Sequence, residues 1–335
     1  MAKIGMIGSG SWGTAIARLL SDKGNELVVW SFLDSETEMF RKYHENTERL
    51  PGVKLPEDVR FTSSLEEAIQ DAELLVFAVP SPVVRSTAHN MSRFVKENML
   101  IVSLAKGIEE ETLMTMSDII EEEIPQADVA VLSGPSHAEE VGRGLPTTIV
   151  AGAHSRETAM RVQELFMSPV FRVYTSSDML GIQIGAALKN VIALAAGIAD
   201  GIGYGDNVKA ALITRGSTEI ARLGRAMGAN EKTLFGLSGI GDLIVTCASK
   251  HSRNRMAGYL MGQGRTMKEA MDEVHQVVEG VYSAKAALAL AKKYEVEMPI
   301  VEQVNHILFD DKPAKDAVAD LLLRDKTHES DNFTW

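Results

Sequence analysis

The chain has 335 residues, more than the roughly 100 to 200 of a single domain, so two domains are expected. Its 45% hydrophobic and 24% charged residues exclude a disordered chain. The formal net charge of -12 excludes the broad basic surface that nucleic acids and anionic membranes attract. The chain has a single cysteine, Cys247, which excludes an intramolecular disulfide and a metal site built from cysteines. We expect Cys247 to be a small buried hydrophobic residue. The low cysteine content indicates a reducing, cytoplasmic environment.

Short apolar runs alternate with amphipathic stretches through the first half of the chain. This alternation predicts a βαβ architecture with a largely parallel sheet and helices on both faces. The first run is broken by glycines and matches neither a secretory signal nor a transit peptide, so no targeting segment is expected. The predicted strands cover residues 3–8, 26–30, 73–79, 99–105, 128–134 and 147–152. The predicted helices include residues 14–23, 63–71 and 111–123.

Three glycines in "GSGSWG" (8–13) follow the first predicted strand and open a helix. In a dinucleotide site, Gly8 permits the tight turn, Gly10 lets the backbone approach a pyrophosphate, and Gly13 lets helix pack closely on strand. The helix N-terminus adds unpaired N–H groups and a positive dipole end. Such glycines also occur in purely structural turns, but the strand–turn–helix context favours a site for NAD or NADP.

The second half of the chain reads as helical. After "FRVYTSSD" (171–178) the strand signals mostly disappear, so we expect a Rossmann-type domain over residues 1–179 and an all-helical domain over 180–335. Residues 181–202 are long and apolar enough to resemble a membrane span, but Lys189 near their middle makes insertion costly and favours a buried helix. Ligands are expected in the cleft between the halves. The polar tail, residues 326–335, is expected to fray.

Seven segments, in order along most of the chain, resemble one family: the bacterial-type NAD(P)-dependent sn-glycerol-3-phosphate dehydrogenases. They are "GSGSWGTA" (8–15), "SLAKGIE" (103–109), "SGPSHAEEV" (133–141), "AALKNVIALAAGIADG" (186–201), "GLSGIGDLIVTC" (236–247), "SRNR" (252–255) and "VVEGV" (277–281). The resemblance implies reversible reduction of dihydroxyacetone phosphate to sn-glycerol 3-phosphate, a precursor of glycerophospholipids. The chain departs from the family pattern at Ser9, where alanine is common, and at His137, where an aromatic ring is common and where we expect packing near the cofactor.

Three catalytic residues are implied by the resemblance: Lys189, Lys106 and Asp242. Taken alone, a lysine in an apolar helix reaches the surface or pairs with a carboxylate, Lys106 could be a plain surface lysine, and Asp242 could be a helix N-cap. In the family's positions, Lys189 protonates the oxygen forming at C2 of the triose as hydride arrives from nicotinamide C4. Lys106 would polarise the ketone, and Asp242 would hold Lys189 and a substrate hydroxyl.

A small basic segment, "SKHSRNR" (249–255), stands out in this acidic chain. Taken alone, this segment could be a solvated loop, but the resemblance implies that it binds the substrate phosphate. The segment "SGPSHA" (133–138) could likewise be a purely structural turn, but the resemblance implies that it contacts the substrate. The implied substrate contacts are Lys106, Gly134, Ser136, Lys189, Asp242, Thr246, Ser252, Arg253 and Asn254. The implied cofactor contacts are Gly8, Gly10, Ser11, Trp12, Gly13, Lys106, Ala138, Arg253, Val277 and Glu279. No metal is implied.

The residues after the second strand decide between NAD and NADP in Rossmann folds. An acid at the strand end binds the ribose 2′-OH of NAD, and a nearby arginine binds the 2′-phosphate of NADP. Here Ser31 and Phe32 follow the strand and Asp34 lies slightly beyond it, so neither rule is met. We predict that NADH and NADPH both work, with a preference within about tenfold. A homodimer is plausible for such an enzyme.

Two other functions fit the same Rossmann pattern. A two-domain reductase of a β-hydroxy acid would need a carboxylate on its substrate, whereas the predicted enzyme needs a phosphate. A nucleotide-sensing regulator would bind the cofactor without turning over any substrate.

Overall fold

A computed structural model describes residues 1–326 together with 328 and 329, so most of the polar tail lies outside the described residues. In this part of the chain, one eight-stranded sheet has the order β3-β2-β1-β4-β5-β6-β7-β8. The strands are β1 Lys3–Ile7, β2 Glu26–Trp30, β3 Arg60–Thr62, β4 Leu74–Phe77, β5 Leu100–Ser103, β6 Asp128–Ser133, β7 Thr147–Ala153 and β8 Phe171–Ser176. The first six follow the doubly wound order that binds dinucleotides.

Helices cover both faces of this sheet. They are α1 Ser11–Asp22, α2 Asp34–Tyr43, α3 Leu65–Ile69, α4 Val84–Met91, α5 Met116–Glu123, α6 Ala138–Val141 and α7 Arg156–Phe166. Their ends follow local chemistry: Thr115 and Asp118 form a capping box at the start of α5, and Ser155 caps α7. The apolar faces of these helices pack on strands whose side chains are almost wholly buried, as expected for a covered parallel sheet.

The sheet contains every predicted strand and is parallel except at one place. The β6–β7 pair is antiparallel, with Ala130 opposite Ala153. A parallel pair needs a crossover of a dozen or more residues, usually through a helix, and the four-residue helix α6 is too short for that role. The sequence analysis did not predict the antiparallel pairing, nor β3, β8 and α2.

After residue 176 the described chain is helical. The helices are α8 Met179–Ile202, α9 Asp206–Ala226, α10 Glu231–Leu234, α11 Asp242–Ala248, α12 Arg253–Gly262, α13 Met267–Val274, α14 Glu279–Lys293, α15 Pro299–Phe309 and α16 Ala314–Leu322. One turn of π-helix, Leu237–Gly241, joins α10 to α11. Together these elements confirm the predicted combination of a Rossmann-type sheet and a helical C-terminal part.

Helix α8 is the centre of the helical part. It is long and apolar enough to cross a membrane, but 94% of its most apolar window is buried inside the protein. Helix α12 crosses it closely, because glycines remove the side chains at the crossing. A Cβ at Gly197 would overlap the carbonyl oxygen of Arg255, and one at Gly258 would overlap that of Leu194. This contact fixes the start of α12 over the middle of α8.

Polar contacts join the helices to the sheet domain. The side chain of Gln183 on α8 accepts a hydrogen bond from the Ser117 N–H (2.9 Å) and donates one to the Ser117 hydroxyl (2.8 Å). At the cleft, Glu279 on α14 accepts hydrogen bonds from the N–H (3.2 Å) and hydroxyl of Ser81. The carboxyl ends of β1, β4 and β5 therefore face the helices, where open α/β sheets bind ligands.

Candidate active site

A cleft of about 1560 Å³ lies between the carboxyl edge of the sheet and the helical part. Residues from both halves of the chain line it, and most of the predicted site residues are among them. Those lining it are Gly8, Gly10, Ser11, Trp12, Lys106, Ser136, Ala138, Lys189, Thr246, Ser252, Arg253, Asn254, Val277 and Glu279. Gly13, Gly134 and Asp242 stand just behind this surface and contact residues on it.

The glycine loop after β1 has the form that a pyrophosphate requires. Gly8 has φ of +116°, which side-chain-bearing residues rarely adopt, and a Cβ at Gly13 would overlap the Gly8 carbonyl oxygen. A Cβ at Gly10, by contrast, meets no atom within 4 Å, so this face of the loop is open. Gly10 caps α1 without a side-chain hydrogen bond, and the buried indole N–H of Trp12 has no partner in the described structure. These free donors fit a dinucleotide cofactor.

Two lysines share one buried carboxylate at the floor of the cleft. Lys189 Nζ donates to Asp242 Oδ1 at 2.6 Å, and Lys106 Nζ donates to Asp242 Oδ2 at 2.7 Å. Thr246 lies one turn after Asp242 on α11, accepts from Lys189 at 2.8 Å and donates to the Asp242 carbonyl at 2.6 Å. Lys189 is only 6% exposed and Asp242 only 1%. Asp242 is the first residue of α11, and its side chain contacts the lysines.

Burial and neighbouring charges together set the pKa values of this group. Burial and the charge of Lys106 lower the pKa of Lys189, Asp242 opposes them, and the net result is a pKa of about 8. Burial alone would raise the pKa of Asp242, but the two lysines outweigh it and hold that pKa below its ordinary value. The carboxylate therefore stays charged, while Lys189 exchanges a proton near neutral pH. Such an ammonium can serve as an acid and its amine as a base.

The turn after β6 supports the second lysine. The Gly134 carbonyl accepts from Lys106 Nζ at 3.3 Å and from the Ser136 hydroxyl at 2.9 Å. Gly134 itself does not line the cleft, so it contributes through its carbonyl oxygen. Ser136 and Ala138 continue from this turn along the cleft wall.

The basic segment divides at the start of α12. Ser252 caps the helix by accepting from the Arg255 N–H at 3.2 Å, and Arg255 pairs with Asp200 at 2.6 Å, away from the cleft. Arg253 lines the cleft, and its Nη1 donates a long hydrogen bond to Gln276 at 3.4 Å. Among the described residues, no carboxylate lies within ion-pairing distance of Arg253. Its guanidinium is therefore placed to receive an anion.

Asn254 also forms hydrogen bonds between helices, a structural role that the sequence analysis did not predict. Its amide donates to Asn190 Oδ1 at 3.0 Å and accepts from the Gly280 N–H at 2.8 Å. The side chain thus links α12 to α8 and α14. Because an amide nitrogen carries two hydrogens, one donor is left for the cleft.

The sequence analysis missed some residues that line the cleft, and also Ser81, which contacts the cleft residue Glu279 without lining the cleft itself. Ser81 contacts Glu279 from 198 positions away, and no local pattern signals such a contact. Glu36 and Arg49 line the cleft beside the glycine loop. Glu36 had a usable signal, since an acid about 20 residues beyond the third glycine is part of the dinucleotide fingerprint.

His137 lies on the cleft wall, where the sequence analysis expected a ring near the cofactor. Burial and the charge of Lys189 lower its pKa, so the imidazole is neutral at physiological pH. Its Nε2 is buried without a hydrogen-bond partner among the described residues. Cys247 is fully buried nearby, as predicted, and burial raises its pKa to about 12. In the described part of the chain, no three His, Cys, Asp or Glu side chains are grouped to hold a metal ion.

Comparison with known sequences gives a consistent family. The profile for the N-terminal domain of NAD-dependent glycerol-3-phosphate dehydrogenase matches residues 3–159, and the profile for the C-terminal domain matches residues 178–319. A glycerol-3-phosphate dehydrogenase [NAD(P)+] of Agathobacter rectalis is 62% identical over 335 residues, covering 100% of both chains. One from Fusobacterium nucleatum is 58% identical and covers 98% of this chain and 99% of its own.

Solved structures point the same way. The crystal structure of glycerol-3-phosphate dehydrogenase from Coxiella burnetii superposes with a TM-score of 0.93 at 35% identity, covering 96% of this chain and 99% of that chain. A ketopantoate reductase from Ralstonia eutropha shares the fold alone, with a TM-score of 0.62 at 16% identity over 96% of this chain and 99% of its own. The profiles, the relatives and the cleft geometry agree with the resemblance seen in the sequence, and the chain belongs to the NAD(P)-dependent glycerol-3-phosphate dehydrogenase family.

Proposed function

We propose that the cleft interconverts dihydroxyacetone phosphate and sn-glycerol 3-phosphate with Lys189 as the acid and base. The observation that carries this assignment is the buried contact of Lys189 with Asp242 and Thr246, in a cleft that also presents the glycine loop and Arg253. A bound nicotinamide cofactor would supply the hydride as NADH or NADPH and accept it, in the reverse direction, as NAD+ or NADP+. The remaining steps fall to side chains of this chain.

Residues of both domains would hold the cofactor. The backbone of Gly8, Gly10 and Ser11 would receive the pyrophosphate at the start of α1, with Trp12 beside it. Gly13 would contribute by letting α1 pack on β1. The remaining contacts are assigned to Lys106, Ala138, Arg253, Val277 and Glu279, which line the far side of the cleft.

Lys189 handles the proton. In ketone reduction its ammonium gives a proton to the C2 oxygen while hydride adds to C2, so the carbonyl becomes a hydroxyl and the lysine is left as a neutral amine. In the reverse direction the amine takes the proton from the hydroxyl. Asp242 and Thr246 hold Nζ in place, and the charge of Lys106 stabilises negative charge that develops on the C2 oxygen.

Arg253 would hold the phosphate end of the substrate. Its planar guanidinium can contact two phosphoryl oxygens, and Ser252 and Asn254 add a hydroxyl and an amide N–H from the same turn. Each charge-assisted hydrogen bond is worth about 1.5 to 3 kcal/mol, so a few of them dominate recognition of a small triose phosphate. Gly134 and Ser136 would complete the substrate pocket on the sheet side.

The domain boundary is proposed between residues 179 and 180. It is supported by the end of the sheet at Ser176 and the start of α8 at Met179. The N-terminal family profile ends at residue 159 and the C-terminal profile begins at residue 178, close to this boundary. A cytoplasmic location and a homodimer remain predictions from the sequence. The product would feed glycerophospholipid synthesis.

The test of the catalytic assignment is Lys189→Met, which keeps the side-chain length and removes the proton donor. Turnover should fall by about two to four orders of magnitude, the usual worth of general acid catalysis, while the Kd for NADH measured by fluorescence stays near that of the parent. Lys285→Met, on the exposed face of α14, is the matched control and should leave both values unchanged. Turnover of Lys189→Met within a few-fold of the parent would remove Lys189 from the mechanism.

A further inference from the structure

A polar cluster that the catalytic proposal does not use lies where β2 ends beside the glycine loop. It consists of Ser9, Ser31, Glu36 and Arg49, hereafter the Glu36 cluster. Glu36 Oε2 accepts hydrogen bonds from Ser31 Oγ (2.5 Å) and Ser9 Oγ (3.1 Å). Glu36 Oε1 pairs with Arg49 at 2.7 Å.

The cluster places a carboxylate that the strand itself does not supply. Ser31 is the first residue after β2, at the position where many Rossmann domains carry the acid that binds the adenine ribose. Glu36 comes instead from the first turn of α2 and is held back toward the strand end by the two serine hydroxyls. Ser9 belongs to the glycine loop, so the carboxylate is fixed directly beside the expected pyrophosphate site.

Both charged members of the Glu36 cluster face the cleft. Glu36 is held firmly, with 14% of its side chain exposed, whereas Arg49 is 39% exposed and has Glu36 as its ion-pair partner. Because the Arg49 side chain is open to the cleft on one side, it can contact a second anion there without giving up much of its pairing with Glu36. The other basic candidates near β2 face elsewhere: Arg41 pairs with Glu38, and Lys42 lies over the ring of Tyr43.

We propose that Glu36 and Arg49 together read the 2′ position of the adenine ribose. Glu36 accepts a hydrogen bond from the 2′-OH of NAD(H) while it stays paired with Arg49. For NADP(H), Arg49 donates to the 2′-phosphate and offsets the repulsion between that phosphate and Glu36. This inference rests on the proposed cofactor site and deepens it.

The arrangement explains why one chain would use both cofactors. A carboxylate alone would exclude the 2′-phosphate by like-charge repulsion, and an arginine alone would favour it. Because Glu36 and Arg49 form one ion pair, the repulsion of the 2′-phosphate by Glu36 is opposed by its attraction to Arg49. The prediction from the sequence, a preference within about tenfold, follows from this balance.

Binding of two fragments that differ only at the 2′ position tests the proposal. Titration calorimetry gives the Kd of adenosine 5′-monophosphate and of adenosine 2′,5′-bisphosphate, and the phosphate preference is the ratio of the first Kd to the second. Glu36→Gln should raise this ratio about tenfold, and Arg49→Met should lower it about tenfold, each the worth of one charge-assisted contact. The matched controls are Glu38→Gln and Arg41→Met, which remove the same charges from an ion pair on α2 outside the cleft, and they should leave the ratio unchanged.

Opposite changes in the ratio cannot come from general loss of folding, which weakens both fragments together. The proposal is overturned if either cleft variant leaves the ratio within twofold of the parent, or if both move it in the same direction. A purely structural role for Glu36 would appear as an equal loss of affinity for both fragments. Since neither fragment carries a nicotinamide and no turnover is measured, failure here is distinct from failure of the catalytic assignment.

Discussion

Opposing influences set the proton affinity of Lys189. A lysine in water has a pKa of about 10.4, and removal from water disfavours its charged form. Burial and the neighbouring Lys106 charge lower its pKa to about 8, against the pull of Asp242. At neutral pH most of the lysine is therefore protonated and ready to donate. The same residue accepts a proton once pH rises above about 8.

The pH dependence of ketone reduction should carry this pKa. The proposed acid is protonated Lys189, so kcat/KM for dihydroxyacetone phosphate should fall as pH rises through about 8. Lys106→Met removes a positive charge that lowers the pKa of Lys189, so that pKa should rise. The fall in rate should then occur at higher pH than in the parent, in addition to any overall loss of rate. The measurement is kcat/KM for dihydroxyacetone phosphate against pH, for parent and variant. An unmoved fall, or one moved to lower pH, would show that another group controls the profile.

Arg253 is proposed to bind the substrate phosphate because of its position in the cleft as well as its charge. Arg253→Ala should raise the KM for dihydroxyacetone phosphate and lower kcat together, because phosphate binding also positions the ketone. Activity on unphosphorylated dihydroxyacetone should barely change. Lys250→Ala, an exposed charge in the same segment, serves as the comparison and should leave all values near those of the parent. Equal losses on both substrates would mean a folding or cofactor role for Arg253.

The close crossing of helices α8 and α12 sets the positions of two of the proposed site residues. Lys189 belongs to α8 and Arg253 begins α12, so their separation depends on how closely the two helices pack. At the crossing, Gly197 and Gly201 on α8 meet Gly258 and Gly262 on α12, and a Cβ on any of them would overlap backbone atoms of the other helix. These four glycines therefore allow the close packing of α8 and α12.

Gly258→Ala should push these helices apart. Overpacking of this kind costs about 1 to 3 kcal/mol, so the urea midpoint should fall, and the KM for dihydroxyacetone phosphate should rise because Arg253 moves relative to Lys189. Gly205→Ala is the control for steric overlap, since a Cβ there meets no atom within 4 Å; it changes only the N-cap of α9 and should leave the KM unchanged. The variant and control are compared by urea titration and steady-state kinetics. A Gly258→Ala protein with unchanged midpoint and KM would contradict this account of the crossing.

Periodicity predicted most elements, and its failures have physical reasons. Strands such as β4 and β5 were predicted because they are buried on both faces and therefore lie in continuous apolar runs. The three-residue strand β3 is too short to show a pattern. Helix α2 begins with several charged residues and buries only Thr37 and Phe40, so its apolar stripe is narrow. The antiparallel β6–β7 pairing was not predicted because an apolar run indicates where a strand lies and not its direction.

At the scale of the whole molecule, the site depends on contacts between distant parts of the chain. Lys106 meets Asp242 across 136 positions, and Ser81 meets Glu279 across 198. No local pattern encodes such pairings, so from the sequence only the family resemblance could assign roles to Lys106 and Asp242. Glu36 was missed although its spacing from Gly13 fits the dinucleotide fingerprint, because the acid was sought at the end of β2 and Glu36 belongs to α2.

The acidic protein concentrates positive charge where its anionic ligands would bind. The formal net charge is -12, yet Lys106, Lys189, Arg253 and Arg49 all line one cleft. A local positive site within a negative surface favours small anions over nucleic acid or membrane, which need an extended basic face. The basic segment at residues 249–255 therefore makes sense as part of a pocket for a phosphate.

The central claim is that dihydroxyacetone phosphate is the substrate of this cleft. The most direct test is the rate at which the absorbance of the reduced nicotinamide falls, compared under the same conditions for three substrates. They are dihydroxyacetone phosphate, unphosphorylated dihydroxyacetone and a β-keto acid. We expect rapid NADH or NADPH oxidation with the phosphate ester and a kcat/KM at least about 100-fold lower with the other two, the effect of losing a few phosphate contacts. If the phosphate ester were no better a substrate than dihydroxyacetone or the β-keto acid, the assignment of this cleft to dihydroxyacetone phosphate would be contradicted.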